Sequence, residues 1–412
     1  MTIPHAHLPP PVRRVYELLA DHPGPDTTAG PIAAALRITE PDATAALQRL
    51  HAASLVKQLA LGDRYTLAPW ARQHAIHQRV QLPDPVRAEQ VTRLIDWYAT
   101  TASAAVPLIA PHALRCSAPA AHKTVPHRHG DGPRALLWYA REHHVLRAIL
   151  TAATDRHHDD VAVELAEAVW HLARTTYHHD DLAHAQHAGY TLTHRTRDPI
   201  AAVFRAREAT ALADLGHLDD ALDAVADATA ALDTHDPEIL ALVHSHSGRV
   251  HLAAGQPDNA LGELAAALRY HRGVVDDHGH ALVERRIGQA HSALGYHADA
   301  LHHLNASSSD LTRRGHRLSA ARTLTYLANA LIAAGEPGKA LTAAGRAHTL
   351  LGTTAALRYR AGIDLAAARA RYTLGEASVT GRITEALIAR LSGAGPGAAG
   401  DLTAATDLRN QL

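Results

Sequence analysis

Apolar residues recur three and four positions apart along most of this 412-residue chain, the spacing of helices that bury one face. Residues 12–21 form a first short amphipathic segment, ended by Pro23-Gly24-Pro25 because proline cannot continue a helix. Residues 30–38 read as a second short helix. Thr39 or Pro41 opens a third over 41–56, with Ala46, Leu47, Leu50 and Leu55 on roughly one face. Over 56–68 the pattern changes to alternation around Gly62-Asp63, the signal of a β-hairpin. Helical spacing resumes over 70–80, 86–110 and 133–153. Between the last two, residues 111–134 are rich in Pro, His, Gly and Arg and read as a mobile loop.

Beyond this point the chain repeats itself. The segments ADLGHLDDAL (213–222), LAAGQPDNAL (252–261), SALGYHADAL (292–301) and IAAGEPGKAL (332–341) align on Gly216, Gly255, Gly295 and Gly335, which are 39, 40 and 40 residues apart. Gly375 keeps the spacing of 40 but loses the Ala-Leu pair, and residues 174–185 occupy the same phase without glycine. Small residues also keep fixed offsets. Ala209, Gly248, Gly288, Ala328 and Ala368 stand seven before the glycine; Ala221, Ala260, Ala300 and Ala340 stand five after it; Ala228, Ala267, Ser307 and Ala347 stand twelve after it. A small residue at all three places lets two antiparallel helices approach closely around a tight turn. The six units have degenerate outer members, as capping repeats do.

This phasing resembles tetratricopeptide repeats, with a unit longer than the common one. The three helices and hairpin at the N-terminus make a winged-helix layout. The fold class expected is therefore all-α: a tetratricopeptide-repeat right-handed superhelix with a concave groove, carrying an N-terminal winged-helix domain. The expected divisions are a flexible arm over 1–10, the winged helix over 11–80 and a helical spacer over 81–159 containing the loop 111–134. About six repeats follow over 160–393, then a flexible tail over 394–412. This order is similar to the C-terminal half of STAND-class regulators (NB-ARC/tetratricopeptide and antibiotic-regulatory-protein-like). The segments carrying that similarity are PGPDTTAGPIAAAL (23–36), ATAALQRLHAASLV (43–56), DRYTLAPWARQHA (63–75), RLIDWYATTA (93–102) and ALLWYAREHHVLRAIL (135–150). The family's nucleotide-hydrolysing domain would precede the winged helix, where only ten residues stand here. No GxxxxGK[ST] occurs to cradle phosphates. Its nucleotide-sensing histidine and acid are replaced by Leu67-Ala68-Pro69. The resemblance implies a regulator or adaptor that does not hydrolyse ATP.

Composition narrows the function. Forty Lys+Arg balance 41 Asp+Glu, so no net charge draws the chain to nucleic acid or anionic membrane. Aromatics are only 4%, which leaves packing to alanine and leucine. A single cysteine, Cys116, excludes an intramolecular disulfide or a cysteine zinc finger. There is no signal-like apolar segment and no run of 18 apolar residues, so a cytoplasmic location and no membrane contact are expected. No GxSxG elbow is present and Cys116 has no orienting frame, so no enzyme and no cofactor are expected.

Three candidate sites follow. The residue six before each turn glycine would face the groove, giving Thr210, Arg249, Gln289, Asn329 and Arg369; four further back stand Ser245, Arg285 and Thr325. Such a ladder could clamp a peptide, a protein segment or a small effector, with arginine giving bidentate contacts. Arg249 and Arg285 should then face the same side. The alternative is a solvated polar face. In the third helix, Gln48, Arg49 and His51 are where DNA contacts would sit, though the segment 11–80 carries only two more basic than acidic residues. A DNA-binding regulator with the repeats as sensor is the second reading, and a homodimer is left open. Finally, 34 histidines are an unusual excess. His178, Asp180, His184 and His187 are the tightest set that could ligate a metal, yet a dispersed excess is more simply a compositional habit, and no metal is expected.

Overall fold

A computed structural model describes residues 8–60, 62–79, 83–111, 120–122, 124–271, 277–354 and 356–412. Cys116 and residues 1–7 of the expected arm lie outside the described residues. The chain divides into two compact units, Met1–Val169 and Trp170–Leu412.

The first unit opens with α1 (Pro10–Leu19), α2 (Ala29–Leu36) and α3 (Glu40–Ala52), followed by strands β1 (Val56–Gln58) and β2 (Tyr65–Leu67). The strands pair antiparallel with Val56 opposite Leu67, as the alternation predicts. Thr27 adds a bridge, exchanging backbone hydrogen bonds of 2.9 Å with Tyr65. Tyr16, Ile32, Leu47, Leu50 and Leu55 fill the space between the helices and the hairpin. Thr39 caps α3, its hydroxyl accepting from the Asp42 amide. Helices α4 (Pro69–Arg79), α5 (Asp84–Ile109) and α6 (Gly132–Asp155) follow. Arg64 ties the hairpin to α6: its Nε donates to Asp26 at 2.8 Å and its Nη2 to Glu142 at 3.1 Å. The described part of the expected mobile loop is held in place. Glu164 accepts from the Ala120 amide at 2.8 Å and contacts His122 at 2.8 Å, while buried His129 lies 3.0 Å from the Thr101 carbonyl.

Helix α7 (Asp159–Ala173) crosses the division between the units. The second unit then runs through α8 (His179–Arg195), α9 (Ala201–Asp214), α10 (Leu218–Ala230), α11 (Pro237–Ala253), α12 (Pro257–His271), α13 (Asp277–Ala293), α14 (His297–Arg313), α15 (Arg317–Ala333), α16 (Pro337–Leu351), α17 (Leu357–Thr373), α18 (Ala377–Leu391) and α19 (Ala399–Asn410). Each helix packs on the next in sequence. The five turn glycines all have φ between 70° and 85°, the left-handed conformation that ends a helix and returns the chain. The residue after each donates back to the carbonyl five before it, as His217 does to Leu212 at 3.0 Å and Glu336 to Leu331 at 2.8 Å. The phased small residues sit where the two helices of a pair touch. Ala209, Ala221, Ala260, Ala300, Ala328 and Ala340 are fully buried. A Cβ on Gly248 would stand 2.7 Å from Leu264 Cγ, and one on Gly288 2.7 Å from Leu304 Cγ.

Two expectations are corrected here. Residues 394–412 are not a flexible tail: Ala405 and Leu408 of α19 are buried against Leu387 and Leu391 of α18, because Leu402, Ala405 and Leu408 recur every third residue and give the helix an apolar stripe. Nor does the array leave an open groove. The Arg358 amide of α17 donates to the Thr175 carbonyl at 3.2 Å, and Tyr177 donates to Asp401 of α19 at 2.6 Å. Tyr177 also belongs to the same apolar cluster as Leu365, Leu391 and Leu408. The last repeat therefore packs on the first, and the repeat array closes on itself.

Candidate functional site: an arginine-lined cavity

Closure encloses a narrow cavity, with about 30 Å³ of space for water, that opens to solvent at its mouth. It is lined by Arg174 beyond α7, by Thr210 and Asp214 of α9, and by His246 and Arg249 of α11. Arg285 and Arg286 of α13, Arg322 of α15 and Arg358 of α17 complete its polar wall. Six guanidinium groups thus face one carboxylate. Asp214 is held from two sides: Arg249 donates to both its oxygens at 2.7 and 2.8 Å, and Arg358 reaches the same pair at 2.8 and 3.0 Å. Burial would raise the Asp214 carboxyl, but Arg249 and Arg358 override it and hold it well below the usual carboxylate range.

The other four arginines have no carboxylate partner among the described residues. Arg285 and Arg286 are 4% and 7% exposed. The Nε atoms of Arg174, Arg285 and Arg286 are buried without a hydrogen-bond partner. Arg286 donates from Nη1 to Ser245, while Arg285 and Arg322 lie over the Tyr326 ring with 5.8 Å to its centroid. Arg322 also covers Tyr359 at 5.4 Å. Aromatic faces ease the desolvation of these cations. Burial first, then Arg322, pushes the Arg285 guanidinium down to about 9. Burial and Arg285 lower Arg286, and burial lowers Arg174. The tyrosines are lowered too, which for a phenol favours the charged form. Burial would raise them, but Arg322 foremost brings Tyr326 down to about 7 and Tyr359 to about 8. His246, 3.2 Å from the Thr210 hydroxyl, is kept neutral by burial and by Arg286.

Of the ladder positions, Thr210, Arg249 and Arg285 line this cavity, and Ser245 supports it through Arg286. Arg249 and Arg285 face the same space, as expected. Gln289, Thr325, Asn329 and Arg369 are half-buried and lie outside its lining. The constant offset from the turn glycine is thereby corrected. Asp214, Arg249, Arg285, Arg322 and Arg358 follow one another at 35, 36, 37 and 36 residues, about one helical turn less than the repeat. The cavity cuts obliquely across successive helices, so the functional position steps back one turn per repeat. That second period is the signal by which Arg322 and Arg358 could have been found; Arg174 and Arg286 have no comparable one.

The remaining candidates behave differently. Gln48, Arg49 and His51 are exposed on α3, with His51 Nδ1 3.3 Å from the Val56 carbonyl. Two of the basic residues counted toward a DNA surface are committed elsewhere, Arg64 to Asp26 and Glu142, and Arg79 to Asp21. His178, Asp180, His184 and His187 do not converge on one point among the described residues; His187 turns instead to Glu208 of α9 at 3.0 Å. The histidine excess is not all solvated either, since His179, His246, His271 and His316 are buried in the repeat unit.

No family model and no curated protein matches the chain. Among solved structures, one that matches is a signal transduction ATPase with numerous domains (STAND) protein with a tetratricopeptide-repeat sensor from Pyrococcus horikoshii. It is 12% identical with a TM-score of 0.37, covering 99% of this chain and 64% of that one. The chain thus spans less than two thirds of that protein's length. A second is a circular tandem repeat protein with novel repeat topology, 10% identical with a TM-score of 0.23, covering 96% and 94%. The chain's own helices, packed pair upon pair at a constant period, make it an all-α helical-repeat protein.

Proposed function

We propose that this chain is a non-enzymatic regulatory binding protein whose repeat unit senses a small charged effector. The observation that carries the reading is the arginine-lined cavity inside the closed array. An extended peptide needs an open groove along successive helices, whereas here the first and last repeats are in contact and the arginines are sequestered. Ligands that bridge Arg358 of the last repeat and Arg249 of an early one would tighten the closure. That differential contact is what an effector needs to bias a two-state element. The N-terminal helices and hairpin read as a winged helix serving as docking module. The committed Arg64 and Arg79 make that role a better fit than DNA reading.

The test is thermal unfolding of the full chain with a cell extract split by ultrafiltration. The low-molecular-weight filtrate should raise the unfolding temperature of the native protein and leave Arg285→Gln/Arg322→Gln unmoved. Stabilisation by the retentate alone would overturn the small-effector reading in favour of a protein or peptide partner.

A further inference from the structure

The geometry points to a compact ligand carrying two or more phosphate groups as the occupant of the arginine cavity. This inference rests on the sensing role proposed above and names the chemistry of the effector.

Charge density decides the class. Six guanidinium groups and one carboxylate converge on this narrow, solvent-open cavity, and the carboxylate is already shared between Arg249 and Arg358. Guanidinium stays protonated in proteins, and loss of the Tyr326 and Tyr359 protons offsets only part of the excess. It needs an anion of several charges in a small volume. A carboxylate brings one charge per group, and a peptide spaces its acids along a backbone the closed array has no room to thread. A phosphate group brings about 1.5 to 2 charges and three acceptor oxygens, and two linked groups deliver both within one small molecule.

Donor geometry agrees. Arg174, Arg285 and Arg286 each bury an Nε that finds no acceptor, and the forks of Arg249 and Arg358 already grip a pair of oxygens on Asp214. Asp214 occupies the site as an internal anion, and its fourfold grip displays what the cavity recognises. Arg285 lies over a tyrosine ring, and Arg322 lies over two and donates to the Tyr326 hydroxyl at 3.3 Å; with no carboxylate partner among the described residues, they are the cations left for an added ligand.

Isothermal calorimetry on the full chain tests this with inorganic pyrophosphate and tripolyphosphate, against orthophosphate, citrate and tetraglutamate. Pyrophosphate and tripolyphosphate should bind about tenfold or more tighter than orthophosphate or citrate, and more weakly as salt rises. Arg285→Gln/Arg322→Gln should lose about tenfold or more with its helical circular dichroism intact. Asp214→Asn should bind tighter, because it removes the competing anion, while unfolding more easily without ligand. A nucleoside diphosphate arm separates the sources: tighter binding than pyrophosphate marks a phosphoester effector, weaker binding a free polyphosphate. Citrate or tetraglutamate binding as tightly as pyrophosphate, or an arginine variant that binds unchanged, overturns the inference. If no phosphate probe binds while the extract filtrate still stabilises the protein, the sensing role stands and the phosphate class falls. If neither acts, both fall.

Discussion

Replacing Asp214 by asparagine removes the one carboxylate that lines the arginine cavity among the described residues while keeping its shape. In the native chain its two oxygens accept four bonds of 2.7–3.0 Å from Arg249 and Arg358, and the three side chains are only 14–20% exposed. Breaking one partner of a buried ion pair costs about 3–5 kcal/mol, because the remaining charges stay buried and uncompensated. Asparagine Oδ1 still accepts one of those bonds, which offsets roughly 1 kcal/mol. The expected loss is therefore about 3 kcal/mol at neutral pH. For a unit of this size that corresponds to a fall of about 6–12 °C in Tm. The acid limb supplies a second check. The folded carboxyl is held below its unfolded value, so its contribution is complete above about pH 4 and is lost as pH falls further, through the folded value. The difference between native and variant proteins should thus be flat from pH 7 to 5 and shrink below about pH 4. Guanidinium denaturation followed by far-UV circular dichroism measures both. A loss under about 1 kcal/mol at pH 7 would falsify the claim that this carboxylate holds the arginine cluster together.

Further consequences are as direct. Gly248→Ala should destabilise by about 1–3 kcal/mol, since the new Cβ falls 2.7 Å from Leu264 Cγ, while Gly262→Ala, which meets nothing within 4 Å, should be neutral or slightly stabilising; equal effects in chemical denaturation would contradict the helix-contact role. Tyr177→Phe removes the 2.6 Å bond to Asp401 at the closure, so hydrogen exchange should accelerate in α19 and leave α11 and α12 unchanged. Tyrosinate absorbance should emerge between about pH 7 and 9 from Tyr326 and Tyr359, well before ordinary tyrosines, and half of it should vanish in Tyr326→Phe. A titration beginning only near pH 10 would refute the arginine influence on these rings. Because their folded values are depressed, both phenols should add stability as pH rises through that window.

Much of the repeat unit was legible because its determinants are local. A turn glycine needs a left-handed φ, and a helix contact seven residues before it needs a small side chain; both requirements recur every 39–40 residues and can be counted. The hairpin register follows likewise from alternation around Gly62-Asp63. The cavity was legible only in part. Fixed offsets from the glycine point to Thr210, Arg249 and Arg285, but equally to Gln289, Asn329 and Arg369, which lie beyond its lining. Arg358 stands seventeen residues before its glycine and Arg322 thirteen before its own, so neither shares a phase with Arg249.

By itself the sequence determined the helices, their turns and the close packing within each pair, since these depend on residues a few positions apart. Only the tertiary structure decided that Tyr177 meets Asp401 and that Arg358 meets Asp214. Those contacts join residues 224 and 144 positions apart, and no local pattern encodes them. Closure depends on small rotations accumulated over every repeat, and it is closure that turns five separate arginine-bearing segments into one charged cavity.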